Sequence, residues 1–316
     1  MQNSKLAFVF PGQGSQKIGM LAELAEAYPL VEQTFAEASQ VLDYDLWALL
    51  QQGSQEAINL TETTQPLLLT SSVAIWRIWQ QLKGAMPVVM AGHSLGEWSA
   101  LVCAGVVDFS TAVNLVRLRG AYMQAAVPAG QGAMAAILGL DDAQLAACCE
   151  QASEGEEVTA VNFNAPGQVV IAGVSAAVDR AIALCKEAGA KRALPLPVSA
   201  PFHTALMKPA AEQLAKDIAA VTFNTPQIPL VHNVHAQTES DPEAIKALMI
   251  EQIYSPVRWV DCVGALREQG VELAVECGPG KVLCGLSKRI DKSLQMRASD
   301  SVSVLQGAVA DALSQS

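Results

Sequence analysis

The sequence predicts an α/β fold in which a large domain, built on short buried strands, is interrupted by a small ferredoxin-like βαββαβ domain. Three observations point there. Short apolar runs at 6–10, 88–91 and 271–277 alternate with longer stretches of helical period, as expected of strands covered on both faces. From Pro128-Ala129-Gly130-Gln131-Gly132 onward the pattern changes and reads strand, helix, strand, strand, helix, strand, the order of a split βαβ unit. Finally, Gly92-His93-Ser94-Leu95-Gly96 joins an apolar strand to an Ala/Leu/Val-rich helix, a G-x-S-x-G pattern in a strand–turn–helix setting. The large domain is therefore expected from 1–128 and 198–316, with the small domain at 129–197.

Taken in order, residues 6–10 form a first strand that ends in the turn Pro11-Gly12-Gln13-Gly14-Ser15-Gln16. This turn lacks both the G-x4-GK[ST] cradle and the GxGxxG fingerprint of nucleotide-binding loops, so its backbone is left to offer an N–H to a reacting oxygen. Helical patterns follow at 21–38, 47–53 and 64–83, the last opened by Gln65-Pro66. Trp76 and Trp79 on that helix read as core packing. After the strand at 88–91, helices are expected from Leu95 onward and at 111–126. The small domain reads strand 133–140, helix 141–154, strand 158–163, a turn at Asn164-Ala165-Pro166-Gly167, strand 168–172, helix 175–188 and strand 190–195. The chain returns through 197–204 to helices at 205–221, 242–253 and 260–269. A strand at 271–277 then turns through Gly278-Pro279-Gly280 into a further helix. Residues 291–300 show no periodicity, 302–305 fit a strand or a helix start, and the C-terminal residues are expected to fray.

Composition narrows the function. An apolar fraction of 51% excludes a disordered chain, and a net charge of −11 with a pI near 4.8 argues against general nucleic-acid binding. The apolar start is too brief for a signal peptide and lacks the basic region, and no uncharged apolar run is long enough to span a membrane. The seven cysteines form no CxxC pair, which fits a reducing, cytoplasmic setting. His232 and His235 face opposite ways if they lie on a strand, and no compact cluster supplies further ligands, so no metal site is expected.

The chemistry converges on Ser94. By itself the pentapeptide also fits a serine capping an ordinary βα turn. With a buried strand before it and a helix after it, a nucleophile on a sharp turn is the stronger reading, and its glycines let backbone and helix crowd together. Of four histidines, His203 is best placed as general base, in a domain-boundary loop just before a helix. His93 reads as a structural or lining residue. No Asp or Glu is obviously placed as a third member, and Glu97, in the first turn after the nucleophile, suits the helix dipole. A carbonyl or amide is left to hold the imidazole tautomer. The N–H of Leu95 and one from the loop around Gln13 would receive an oxyanion. Arg117 and Arg119 lie on opposite sides of one helix, and periodicity does not say which points inward to meet an anion.

Together these segments resemble the malonyl-CoA:acyl carrier protein transacylase family of type II fatty acid synthesis. The resemblance runs from 8–16 through Gly92–Trp98, Arg119, Asn162, 199–203, Asn233-Val234, Gln252 with 255–259, and 278–283, nearly the whole chain. Trp98 stands where the family commonly has tyrosine, a change of bulk beside the elbow. The resemblance implies an α/β-hydrolase-like large domain with a ferredoxin-like insert and a malonyl-serine intermediate at Ser94 with His203 as base. It further implies that Gln13 and Leu95 form the oxyanion hole, that Arg119 binds the malonyl carboxylate, and that Gln252 orients His203 through its backbone carbonyl. His93, Asn162 and Phe202 would line the pocket. No cofactor is implied; malonyl-CoA is substrate and acyl carrier protein the partner, with no nucleic acid or membrane. For an acidic carrier, Lys191 and Arg192 are the best-placed docking residues, with Lys281, Lys288 and Arg289 as further basic positions. A related acyltransferase serving another carrier, or a thioesterase, would share the same serine and histidine.

Overall fold

The computed structural model describes residues 3–198 and 200–314; Ser199 of the return segment, and the last two residues, where fraying is expected, lie outside them. Its larger sheet has five parallel strands in the order β7-β2-β1-β8-β9, formed by β1 (Leu6–Phe10), β2 (Val89–Gly92), β7 (Leu230–Val231), β8 (Leu273–Glu276) and β9 (Gln295–Arg297). Alternation explains why β1 is apolar at every position. Leu6, Phe8 and Phe10 face a core that holds Trp76 and Trp79, while Ala7 and Val9 face a second core under the helices Trp259–Glu268 and Val282–Ile290. Phe8 meets Trp76 and Trp79 edge-on at 5.1 and 4.8 Å, so these tryptophans clamp the central strand.

The smaller sheet is antiparallel, in the order β4-β5-β3-β6, from β3 (Gly132–Leu138), β4 (Val158–Ala165), β5 (Gln168–Val174) and β6 (Arg192–Pro195). Helices Asp142–Ser153 and Ser175–Glu187 cover one face around Leu145, Cys148, Val178 and Cys185. The smaller sheet is tied to the segment before the helix Trp259–Glu268 at the Asn162 irregularity of β4. There Val257 donates to the Val161 carbonyl at 2.7 Å, and Phe163 donates back to the Val257 carbonyl at 3.0 Å.

Several expected elements differ. The helix expected at 21–38 is two, Ala22–Ala27 and Leu30–Leu42, because Pro29 drives Tyr28 into an extended conformation. The helix expected to open at Gln65-Pro66 begins earlier, at Thr61, and carries Pro66 in its second turn. Lacking an N–H, Pro66 forgoes the backbone bond to the Glu62 carbonyl, and the helix continues past it through Gln81. A short helix, Gln55–Asn59, was not anticipated, nor were β7 and β9, which are too short to show a period. Residues 302–305 open a helix, Val302–Ser314.

Because the large sheet is parallel, all its carboxyl ends lie along one edge. β1 leads there into Gln13, β2 into Ser94 and β7 into Asn233. The chain passes from β1 to β2 on one side, and from β7 it crosses to β8 on the other side of β1, so a crevice opens beside the carboxyl end of β1.

Candidate active site

Ser94 follows β2 with φ 51° and ψ −108°, a strained conformation for a residue with a side chain. Two glycines permit it. A Cβ on Gly92 would lie 2.0 Å from the Gly96 carbonyl carbon, and one on Gly96 would lie 2.0 Å from the Phe10 oxygen. Neighbouring groups then pin the turn from both ends. The Ser94 N–H donates to Asn233 Oδ1 at 2.8 Å, Asn233 Nδ2 donates to the Gly92 carbonyl at 2.7 Å, and Gln252 Nε2 donates to the Ser94 carbonyl at 3.0 Å. Leu95 opens the following helix, so its N–H lies in the first turn, which no intrahelical carbonyl reaches.

His203 also has a left-handed backbone, φ 64°, and is buried. Its Nε2 lies 2.8 Å from Ser94 Oγ, and its Nδ1 lies 2.9 Å from the Gln252 carbonyl. That carbonyl only accepts, so Nδ1 must carry the proton and Nε2 the lone pair, the tautomer able to take the serine hydrogen. Burial, and then the Arg119 cation, push the imidazole down to about 3, against the pull of the Gln252 carbonyl. It is thus neutral at physiological pH, with its Nε2 lone pair free to face the serine hydroxyl.

Arg119 is the inward arginine, 1% exposed, whereas Arg117 is half-buried and donates to Asn114 on its own helix. Arg119 Nη2 donates to Ser94 Oγ at 3.2 Å and to Gln252 Oε1 at 2.9 Å; Nη1 donates to Gln65 Oε1 at 2.8 Å. Burial lowers its pKa to about 10, opposed by the Glu97 carboxylate, so it remains a cation at neutral pH. An apolar-walled cavity of about 310 Å³ opens over these groups, and Gln13, Leu95, His93, Asn162 and Phe202 all line it. His93 is held by a 2.7 Å bond between Nε2 and Asn164 Oδ1. Lys191 and Arg192 are exposed at the start of β6, a few residues before Leu196 and Val198 on the cavity wall.

Sequence reasoning missed three residues of this centre. Glu97 is more than a helix-dipole partner: it is buried, and its carboxylate accepts from His232 Nδ1 at 2.6 Å, Gln252 Nε2 at 2.7 Å and the Asn233 N–H at 3.2 Å. It therefore acts behind Gln252 and the elbow, and does not touch His203. In the sequence Gln65 reads only as part of a helix start, and Asn233 only as part of a resemblance. The available signal was polarity on a buried face, since Gln65 sits among Leu67, Leu68 and Leu69. The turn after β7 brings the His232 and His235 rings to 5.9 Å, although among the described residues no three His, Cys, Asp or Glu side chains converge as a metal site.

A serine on a strained turn, a neutral imidazole aimed at it and unspent amides beside it define a serine acyl-transfer enzyme. A family model described as acyl transferase domain matches residues 7–311. The malonyl CoA-acyl carrier protein transacylase of Escherichia coli K12 is 59% identical over 306 residues, 97% of this chain and 99% of that protein. The crystal structure of an acyl carrier protein S-malonyltransferase from Vibrio cholerae matches with a TM-score of 0.94 at 62% identity, over 96% of this chain and 99% of that one. A malonyl-transacylase in complex with a type II PKS acyl-carrier protein matches with a TM-score of 0.96 at 56% identity, over 97% and 99% of the two chains. The chain belongs to the acyl transferase family and, within it, to the malonyl-CoA:acyl carrier protein transacylases.

Proposed function

We propose that this chain moves a malonyl group from coenzyme A to the phosphopantetheine thiol of an acyl carrier protein in two half-reactions. Ser94 Oγ attacks the thioester carbonyl while His203 Nε2 takes its proton. The Leu95 and Gln13 N–H groups receive the oxyanion, and its collapse expels the CoA thiolate, which recovers the proton from His203. The carrier thiol then gives its proton to His203 and attacks the malonyl-Ser94 ester, and Ser94 leaves with that proton. The observation that carries the malonyl assignment is Arg119, a buried cation 3.2 Å from the nucleophile with no carboxylate of the described residues in direct contact. A dicarboxylic acyl group supplies that carboxylate; an acetyl group does not. His93, Asn162 and Phe202 shape the acyl chamber.

The same reading makes the parallel sheet an α/β-hydrolase-like domain (1–128 and 198–316) and the antiparallel sheet a ferredoxin-like insert (129–197). The strand order β4-β5-β3-β6 supports the second assignment. Lys191 and Arg192 are the docking surface for the acidic carrier. No described helix is long and apolar enough to cross a membrane, and seven free cysteines suit a reducing, cytoplasmic compartment.

Intact-mass measurement after addition of malonyl-CoA tests the function. A malonyl ester should form on Ser94, persist without acceptor, and disappear when holo-carrier protein is added and becomes malonylated. Steady release of free malonate with no acceptor present would instead identify a hydrolase.

A further inference from the structure

Arg119 raises a question that the transfer mechanism leaves open: what holds a buried cation in place without neutralising it? Guanidinium nitrogens only donate, so each partner must present an acceptor. The partners are two glutamine amides and the serine nucleophile. Both amides have their orientation dictated from behind. Gln252 Nε2 is committed to the Ser94 carbonyl and the Glu97 carboxylate, which turns its oxygen to Nη2. Gln65, 1% exposed, donates from Nε2 to the Met123 sulfur at 3.9 Å and accepts at Oε1 from Nη1 at 2.8 Å. Glu97, the nearest carboxylate in this hydrogen-bonded chain, stands one amide removed from the guanidinium. One of its oxygens is occupied by His232.

A carboxylate at position 65 would have nearly the same shape and a stronger bond to Nη1. It would also leave a neutral ion pair where the acyl carboxylate must bind. An amide aims the guanidinium yet leaves its charge unspent. The Nε of Arg119 is buried and without a partner among the described residues, and Nη1, which donates once, retains a second hydrogen. Donors are thus in reserve for an incoming carboxylate.

We propose that Gln65 is a positioning residue that sets acyl selectivity, its neutral oxygen aiming Arg119 while keeping the cation free for a carboxylate-bearing acyl group. This inference rests on the malonyl-transfer reading above. It assigns the selectivity to a residue that touches Arg119 and not the reacting atoms.

The test compares Gln65→Glu and Gln65→Met with the wild type, each loaded at Ser94 with malonyl-CoA and, separately, acetyl-CoA. The quantity read is the ratio of malonyl to acetyl kcat/KM. For Gln65→Glu the ratio should fall by about tenfold or more, carried by a raised KM for malonyl-CoA. For Gln65→Met, which loses the aim but adds no charge, it should fall less. A merely structural role would lower both acyl groups together and leave the ratio unmoved, and that result in a folded variant overturns the inference. If Gln65→Glu does not fold, an unmoved ratio in Gln65→Met does so. A wild type that shows no preference for malonyl-CoA would overturn the malonyl reading itself. A wild-type preference that both variants keep would overturn only the role of Gln65.

Discussion

At the cavity, the parallel sheet and the antiparallel sheet contribute in opposite ways. The parallel sheet delivers the nucleophile at its carboxyl edge and the segment after β6 brings the base, both on backbone that is strained and tied down. Ser94 and His203 both have positive φ, and Asn233, Gln252 and Glu97 bind the elbow from behind. The antiparallel sheet delivers walls and a rim, with Met134 and Asn162 facing the cavity and Arg192 exposed on edge strand β6. Strain of this kind persists only where surroundings over-determine it, so the chemistry belongs on the edge with the most crossing bonds. A rim that meets a large, changing partner needs accessible charge, and the Lys191 and Arg192 side chains are exposed there.

This contrast predicts how substitutions rank. Ser94→Ala and His203→Ala should each lower malonyl transfer by about 10⁴-fold or more, because serine and base act as one unit. Thermal unfolding should confirm that both variants fold; comparable loss from any rim residue would break the contrast. Arg119→Ala should cost malonyl loading about 10²–10³-fold and acetyl loading far less. Equal losses with the two acyl-CoAs would remove the carboxylate clamp.

The pH profile sharpens the same point. Burial and the neighbouring guanidinium hold His203 at about 3, so the base should be lost only as pH falls toward that value. A free imidazole would instead lose it near 6.5. Replacing Arg119 with alanine removes a like charge and admits water. Both effects raise the imidazole pKa, so the acid limb of acetyl-CoA loading should move to higher pH in that variant. The sign also applies to stability. Below about 6.5 the unfolded histidine binds a proton that the native one refuses, so the native state loses stability as pH falls from 6.5 toward 3. A wild-type acid limb centred near 6.5 would contradict a buried, neutral base.

The legible parts of the sequence were those with a long enough signal. β1 reads correctly over 6–10 because both its faces are buried, and the elbow because glycine spacing and flanking periods agree. β7, with two residues, and β9, with three, have no period to read and exist only through pairing with β2 and β8. Helical geometry separated Arg117 from Arg119 but could not tell which faced inward, since that depends on what packs on the helix. Glu97 is legible only in part, for a similar reason. A carboxylate in a first turn suits the dipole in any helix, and only the fold brings His232 and Gln252, more than a hundred residues away, onto it.

The smallest expected effect lies on the rim. Lys191 and Arg192 are exposed and lead along β6 toward Leu196 and Val198 at the cavity wall, so an acidic carrier bound there would present its thiol to the opening. Exposed charges at a rim act mainly on encounter and are weakened by salt. Reversing both residues to glutamate should therefore raise KM for the carrier protein by about threefold to tenfold at low ionic strength, and by less at high salt. Malonyl loading of Ser94 from free CoA thioester should be nearly unchanged, because neither side chain reaches the elbow. A carrier KM that ignores both the reversal and the salt would move docking elsewhere on the surface. A loss of malonyl loading would mean that β6 braces the active site after all, and the division between a tied-down catalytic edge and an exposed rim would fail.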